Sequence, residues 1–198
     1  MIRRVLVLLT FLALALTSAA PAGASVAAPD GTGAERAAGL PSKATWLRDV
    51  DRSLSGSRGF LRRRAAAAKP GERLAVVLDI DNTSIASHYA WPRPVKRTRA
   101  FARRAAALGM TVHFATGRTR AQLEGVPEVL REAGYRYRGI CVRRSPSEPL
   151  QASKLRCRKA LERRGFTIVA SVGNRLTDLQ GGHTGRRFKL PDYGGRLS

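Results

Sequence analysis

Residues 74–78, Leu-Ala-Val-Val-Leu, are apolar without a break and run directly into Asp79. A strand with one wet face alternates polar and apolar side chains, so a short unbroken apolar run predicts a strand buried on both faces. Such a strand needs helices on either side, and the rest of the chain supplies them in alternation. Residues 95–108 have helical spacing and close at Gly109, residues 111–115 predict a second strand, and residues 119–133 a helix closed by Gly134. Residues 139–142 predict a third strand, 151–164 a helix closed by Gly165, 167–172 a fourth strand, and 187–190 a fifth stopped by Pro191. This rhythm predicts an α/β fold: a mostly parallel sheet between two helical layers. Upstream, Ser42 is a cap for an N-terminal helix over residues 42–67 in which Trp46, Val50 and Leu54 share a face. Gly56 and Gly59 weaken its middle, so one helix and two broken helices both fit, and Lys69-Pro70-Gly71 ends it. Residues 41–198 suit one domain.

Open parallel sheets bind ligands at the carboxyl ends of their strands. The first strand ends in Asp79-Ile80-Asp81-Asn82-Thr83, two acids that can converge on one ligand as the chain leaves the sheet. The second ends in Thr116-Gly117-Arg118, a hydroxyl beside a glycine whose backbone N–H can approach an anion. The fourth ends in Gly173-Asn174-Arg175-Leu176-Thr177-Asp178, and Lys154 opens the helix before it. Carboxylates, a hydroxyl, a lysine and glycine turns at adjacent strand ends suit a hard cation together with a phosphate.

These motifs, in this order, resemble those of the HAD superfamily phosphatases. The phrases LDIDNTS, FATGR, ASVGNRLTDL and FKLP are most similar to the acid phosphatase branch that includes the class B bacterial and plant vegetative-storage-type enzymes, over roughly residues 41–190. The resemblance implies a HAD-like Rossmannoid α/β/α fold and a magnesium-dependent phosphomonoesterase. It assigns Asp79 as the nucleophile that forms an aspartyl-phosphate. Asp81 becomes the general acid and base, with its backbone carbonyl on Mg²⁺. Thr116 and the N–H of Gly117 would hold the phosphoryl oxygens, Lys154 would offset the repulsion between carboxylate and phosphate, and Asn174 and Asp178 would complete the metal site with Asp79 and Asp81. One position departs from the pattern: Asn174 stands where many relatives carry Asp, which removes one negative charge from the metal site. A phosphate-binding protein without turnover is the competing reading.

His88, Tyr89 and Trp91 follow the nucleophile loop and form either an aromatic wall for a substrate or the packing of a loop with Pro92 and Pro94. Arg118 and Arg120 are candidate anion contacts or the solvated start of a helix. About thirty residues separate Thr83 from Thr116, and about as many Arg118 from Lys154, which core elements already fill. No large cap fits there, so the expectation is a minimal cap with the N-terminal helix leaning over the site. An open site of this kind takes small phosphomonoesters broadly, or nucleotides and nucleic acid ends if the aromatics stack on bases.

Arg3 and Arg4, an apolar run over residues 5–16, and Ala22-Gly23-Ala24 make residues 1–24 a signal peptide pattern, with no stable membrane anchor after cleavage, followed by a flexible leader over 25–40. The apolar run is too short to span a bilayer, which takes roughly 20 residues. A secreted chain permits oxidation, so Cys141 and Cys157 are a disulfide candidate, closing a loop worth about 3 kcal/mol in the chain-entropy model; two buried free thiols also fit. The formal charge of +22 falls to +20 when residues 1–24, with two arginines and no acid, are removed. That balance favours anionic partners, including nucleic acid. The arginines are nonetheless scattered along the sequence rather than striped, so a GC-rich coding sequence explains them equally well.

Overall fold

The apolar run ending at Asp79 is the central strand of the computed structural model, which describes residues 39–197. The 1–24 segment and residues 25–38 of the leader lie outside the described residues. β1 (Arg73–Leu78) pairs with β2 (Thr111–Thr119) on one side and β4 (Phe166–Gly173) on the other. β3 (Gly139–Arg143) and β5 (Arg186–Lys189) lie outside them, in the order β3-β2-β1-β4-β5, and every pairing is parallel. The α/β fold with a parallel sheet is therefore as the sequence predicts.

The period of two along β1 sorts its side chains between two cores. Leu74, Val76 and Leu78 enter the larger core, while Ala75 and Val77 enter the smaller one. The larger core is covered by α1 (Lys43–Ser53), α2 (Ser57–Ala66), α4 (Lys96–Ala107) and α5 (Val126–Glu132). The smaller is covered by α6 (Leu150–Arg163), whose Cys157 and Leu161 meet Ala75, Val77 and Ala115. α3 (Ser87–Ala90) is a single turn between β1 and α4. No helix among the described residues is long and apolar enough to cross a membrane.

Two expectations about helices resolve differently. The segment 42–67 is two helices: Ser42 caps the first by accepting the Thr45 N–H, and Gly56, in the left-handed region at φ 71°, separates them. The continuous helix expected over 119–133 does not form. β2 runs on to Thr119, a short 3₁₀ turn covers Ala121–Leu123, and only Val126–Glu132 is α-helical. Gly125, with φ 70°, and Pro127 in the first turn explain the break, because proline has no N–H to continue a helix from upstream and is tolerated at a helix start.

Cys141 of edge strand β3 is disulfide-bonded to Cys157 of α6, with Cα atoms 5.8 Å apart. Ahead of α6, Glu148 accepts hydrogen bonds from Arg156 Nε at 2.8 Å and from the Arg144 N–H at 2.7 Å. Arg156 and that N–H hold the Glu148 carboxyl down from an ordinary 4.5 to about 2. A carboxyl held low stabilises the fold while ionised, so its contribution is complete above pH 4.5 and is lost as the pH falls through about 2. Glu148→Gln should therefore lower the Tm at neutral pH, with the gap to wild type closing as thermal melts are repeated at lower pH. A gap that ignores pH would assign Glu148 to packing instead.

Candidate active site

The carboxyl ends of β1, β2 and β4 open onto a cavity of about 580 Å³ bordered by Asp79, Asp81, Gly117, Arg118, Lys154 and Asp178. Lys154 is its electrostatic centre. The helix α6 delivers this side chain to the sheet from the smaller core, and the residue is 3% exposed. Its ammonium donates to Asp79 Oδ1 at 2.5 Å and to the Ala115 carbonyl at 2.6 Å, and lies 2.7 Å from Asp178 Oδ1. One cation thus sits between two buried carboxylates. Burial, and then the Asp178 charge, raise the Asp79 pKa, and Lys154 offsets them only in part. Burial acts to discharge Lys154, but Asp178 and Asp79 outweigh it and hold its pKa above the ordinary value.

Asp81 faces a different partner. Arg118 clasps it with two parallel bonds, Nε to Oδ2 at 2.8 Å and Nη2 to Oδ1 at 2.7 Å, and the Ser87 hydroxyl donates to Oδ1 at 2.7 Å. Burial alone would raise this carboxyl; the Arg118 and Ser87 hydrogen bonds overcome it and hold the pKa below the ordinary range. The two acids of the first motif are therefore held in different states, one pressed toward neutrality and one kept ionised. Arg118 in turn lies over the exposed Trp91 ring, 5.5 Å from its centroid. Thr116 is fully buried, its Oγ1 accepting the Arg118 N–H at 3.1 Å, which folds the turn so that Gly117 borders the cavity.

Asn174 borders the cavity with both ends of its amide engaged. Its Oδ1 accepts from the Thr83 hydroxyl at 3.3 Å, and its Nδ2 donates to the Leu197 carbonyl at 2.7 Å. Thr83 completes the link by accepting the Asn174 N–H at 3.1 Å. This side chain ties the β1 loop, the β4 loop and the segment around the fully buried Leu197 together. Its oxygen keeps a second lone pair beside the bond from Thr83. Gly173, immediately before it, is required by close approach: a Cβ there would lie 2.3 Å from Asp178 Oδ2.

Asp79, Asp81, Asn174 and Asp178 all border the cavity, and Asp79 and Asp178 are the carboxylates that face Lys154. Two carboxylates against one ammonium leave a net negative charge in a buried place, and Asp178 Oδ1 is enclosed without a hydrogen bond of good geometry. That donor set fits a small, hard divalent cation. Asp81 is turned to Arg118, and no three His, Cys, Asp or Glu side chains gather as a metal cluster among the described residues. His113, buried at 3% exposure and held neutral near a pKa of about 4 by burial and the Arg164, Arg138 and Arg73 charges, belongs to packing.

Of the two readings of His88, Tyr89 and Trp91, packing holds for Tyr89. His88 borders the cavity, but Tyr89 stacks on the buried Trp46 at 4.8 Å between ring centroids and donates its hydroxyl to the Pro41 carbonyl. Burying the Tyr89 ring against Trp46 removes more apolar surface from water than an open cavity edge would. Trp91 is 47% exposed beneath Arg118. No α1 residue borders the cavity among the described residues, so α1 packs on Tyr89 through Trp46 and does not lean over the site. Arg120 is exposed and contributes no side-chain contact to the cavity.

Sequence reasoning missed Arg158. One turn beyond Lys154 on the same face of α6 and 1% exposed, it donates to the carbonyls of Asp178 at 2.7 Å and Gly182 at 3.2 Å, and to that of Gln180. It pins the loop that carries Asp178. The i,i+4 spacing of two cations on the otherwise apolar face of α6 is the signal that marks it. Ser84, whose hydroxyl donates to the Asp79 carbonyl at 2.7 Å, was also missed; a serine following a motif carries no such signal.

A family model described as HAD superfamily, subfamily IIIB (acid phosphatase), matches residues 88–196, a span that contains Thr116, Lys154, Asn174 and Asp178 and begins after Asp79 and Asp81. Two soybean (Glycine max) proteins, the stem 28 kDa glycoprotein and the stem 31 kDa glycoprotein, are each 34% identical over 91 residues. The match takes in 43% of this chain and 36% and 31% of theirs, so the chain spans about a third of the length of these relatives. Among solved structures, the class C acid phosphatase from Bacillus anthracis superposes with a TM-score of 0.61 at 14% identity, covering 76% of this chain and 79% of that one. Its tungstate-bound form gives 0.60 at 15% identity, with the same coverage. At these identities the likeness is one of fold.

The amide of Asn174 can donate to the Leu197 carbonyl, whereas a carboxylate would face it oxygen to oxygen. Asn174→Asp is expected to destabilise the protein by about 1–3 kcal/mol, the cost of leaving a buried polar group unsatisfied. Chemical denaturation checks this. If Asn174→Asp proves at least as stable as wild type, the Leu197 bond is not what holds this position.

Proposed function

The chain belongs to the HAD superfamily, subfamily IIIB, the acid phosphatase family, and on that premise we propose that it is a phosphomonoesterase that hydrolyses small phosphate esters through Asp79. The observation that carries this reading is Lys154 held between Asp79 at the end of β1 and Asp178 at the end of β4, beside the Thr116-Gly117 turn. A carboxylate cannot approach a phosphate dianion unless positive charge offsets the repulsion, and Lys154 supplies that charge where the two would meet. Asp79 attacks phosphorus and forms an aspartyl-phosphate as the ester oxygen departs. Asp81 gives that oxygen its proton, later takes one from the attacking water, and inorganic phosphate leaves. The Thr116 hydroxyl and the Gly117 N–H hold the phosphoryl oxygens.

For Asp81 to carry a proton, Arg118 has to loosen its grip, and an entering phosphate is the natural competitor for that guanidinium. Arg118 thus holds the free enzyme with Asp81 ionised and passes to the substrate when one arrives. A divalent cation, Mg²⁺ in this reading, would be held by Asp79, the Asp81 backbone carbonyl, Asn174 and Asp178, and would add to the charge that Lys154 supplies. Asn174 would support that site by holding the two loops together. The open cavity supports a broad range of small phosphomonoesters. Residues 1–24 and the Cys141–Cys157 bond support a protein exported to an oxidising compartment.

Hydrolysis of an aryl phosphate, measured with and without Mg²⁺, tests the proposal. Wild type should turn over in a metal-dependent manner and Asp79→Asn should not turn over. Asp81→Asn should lose roughly 100- to 10,000-fold, the range for a positioned acid–base group. Absence of metal-dependent and Asp79-dependent turnover on a panel of phosphomonoesters would leave a phosphate-binding protein without catalysis.

A further inference from the structure

The arginines that are scattered in sequence are gathered by the fold. Between α2 and α4 lies a groove of about 460 Å³, and six of its bordering residues are Arg58, Lys96, Arg97, Arg99, Arg103 and Arg104. No acid borders it, and neither α2 nor α4 contains one. Among the described residues none of the six is in an ion pair; Arg99 makes one long bond, 3.4 Å, to the Ala133 carbonyl. The Arg104 Nε–H is enclosed with no acceptor at all. The groove shares no residue with the cavity around Asp79.

Packing two helices of like charge against each other raises the energy of the fold, and an enclosed guanidinium N–H without an acceptor raises it further. Both terms are relieved by an anion. A single phosphate can reach only one or two of these side chains, because Lys96 and Arg104 are about 12 Å apart along α4 at about 1.5 Å per residue. The cations instead form a track for a chain of linked anions. The aromatic residues nearby, Phe60 and Phe101, are turned onto Phe188 in the core, so the groove offers no platform on which bases stack.

We propose that the groove between α2 and α4 binds a linear polyanion of linked phosphates, read by charge alone and separately from the Asp79 cavity. The test uses the full chain, with linear inorganic polyphosphate as the probe, titrated over a range of salt. Occupation of five of the cations should weaken binding roughly 100-fold between about 50 and 200 mM salt, at about 0.7 in the log–log slope per phosphate contact. The triple variant Arg58→Gln/Arg97→Gln/Arg103→Gln removes three exposed groove cations and should lower that slope by about 2. A control triple, Arg136→Gln/Arg163→Gln/Arg187→Gln, makes the same charge change at exposed positions outside the groove and should bind nearly as wild type. Hydrolysis of an aryl phosphate should be the same in the groove triple as in wild type. Equal losses in the two triples would mean that total charge and not the groove holds the polymer. Tighter binding of a single-stranded oligonucleotide of equal charge would mean that bases are read. A parallel fall in hydrolysis would place the polyphosphate at Asp79. Any of these overturns the assignment.

Discussion

One buried ammonium organises this molecule. Lys154 is 3% exposed and lies against two carboxylates and a backbone carbonyl, each contributed by a different strand end or the loop that follows it. A buried charge that loses its partners is strongly destabilising, so the chain is under pressure to keep β1, β2 and the β4 loop in register around that atom. The supporting contacts serve the same end. Arg158 anchors the Asp178 loop from the same helix face, and Gly173 gives the room that the Asp178 side chain needs. The arrangement that makes the site chemically able also fixes the local fold.

The strand ends were legible because a doubly buried strand has to be apolar throughout, so the first polar residue after each run marks an edge of the sheet. Asp79, Thr116 and Asn174 could be placed that way, and Lys154 and Asp178 by their place in the order of motifs. Residues whose role depends on a distant partner were not legible. Nothing near Asn174 in sequence indicates Leu197 or Thr83, and nothing beside Arg118 indicates that it turns to Asp81. For Tyr89 the sequence leaves a substrate wall and loop packing both open, and its stacking on Trp46, distant in sequence, decides for packing. The interrupted helix before Glu132 is a different kind of miss. Gly125 and Pro127 are local turn signals that already mark the break.

The two layers of helix differ in what they do. Four helices meet the larger core, through which α1 is tied to the Ser87–Ala90 turn by Trp46 and Tyr89. On that side the outer surface carries the arginine-rich groove, while the packing beneath it is ordinary and apolar. The opposite face relies on α6, which combines a disulfide, two buried cations and a small apolar core in fourteen residues. The buried cations of α6 and the arginine-rich groove thereby lie on opposite sides of one sheet.

That concentration on α6 has a consequence for how the chain can vary in length. Each residue of a helix turns the next by about 100°, since about 3.6 residues complete a turn. Lys154, Cys157 and Arg158 address the Asp79 carboxylate, the β3 edge and the Asp178 loop from a single face. A one-residue insertion between Lys154 and Cys157 would leave every strand and its hydrophobic pattern intact, yet it would swing one side of this set away from the other. Loops elsewhere in an α/β sheet absorb such changes with little effect. Here the permitted lengths of one helix are set by angular phase, so the exposed positions of α6 can drift in composition while its residue count cannot change.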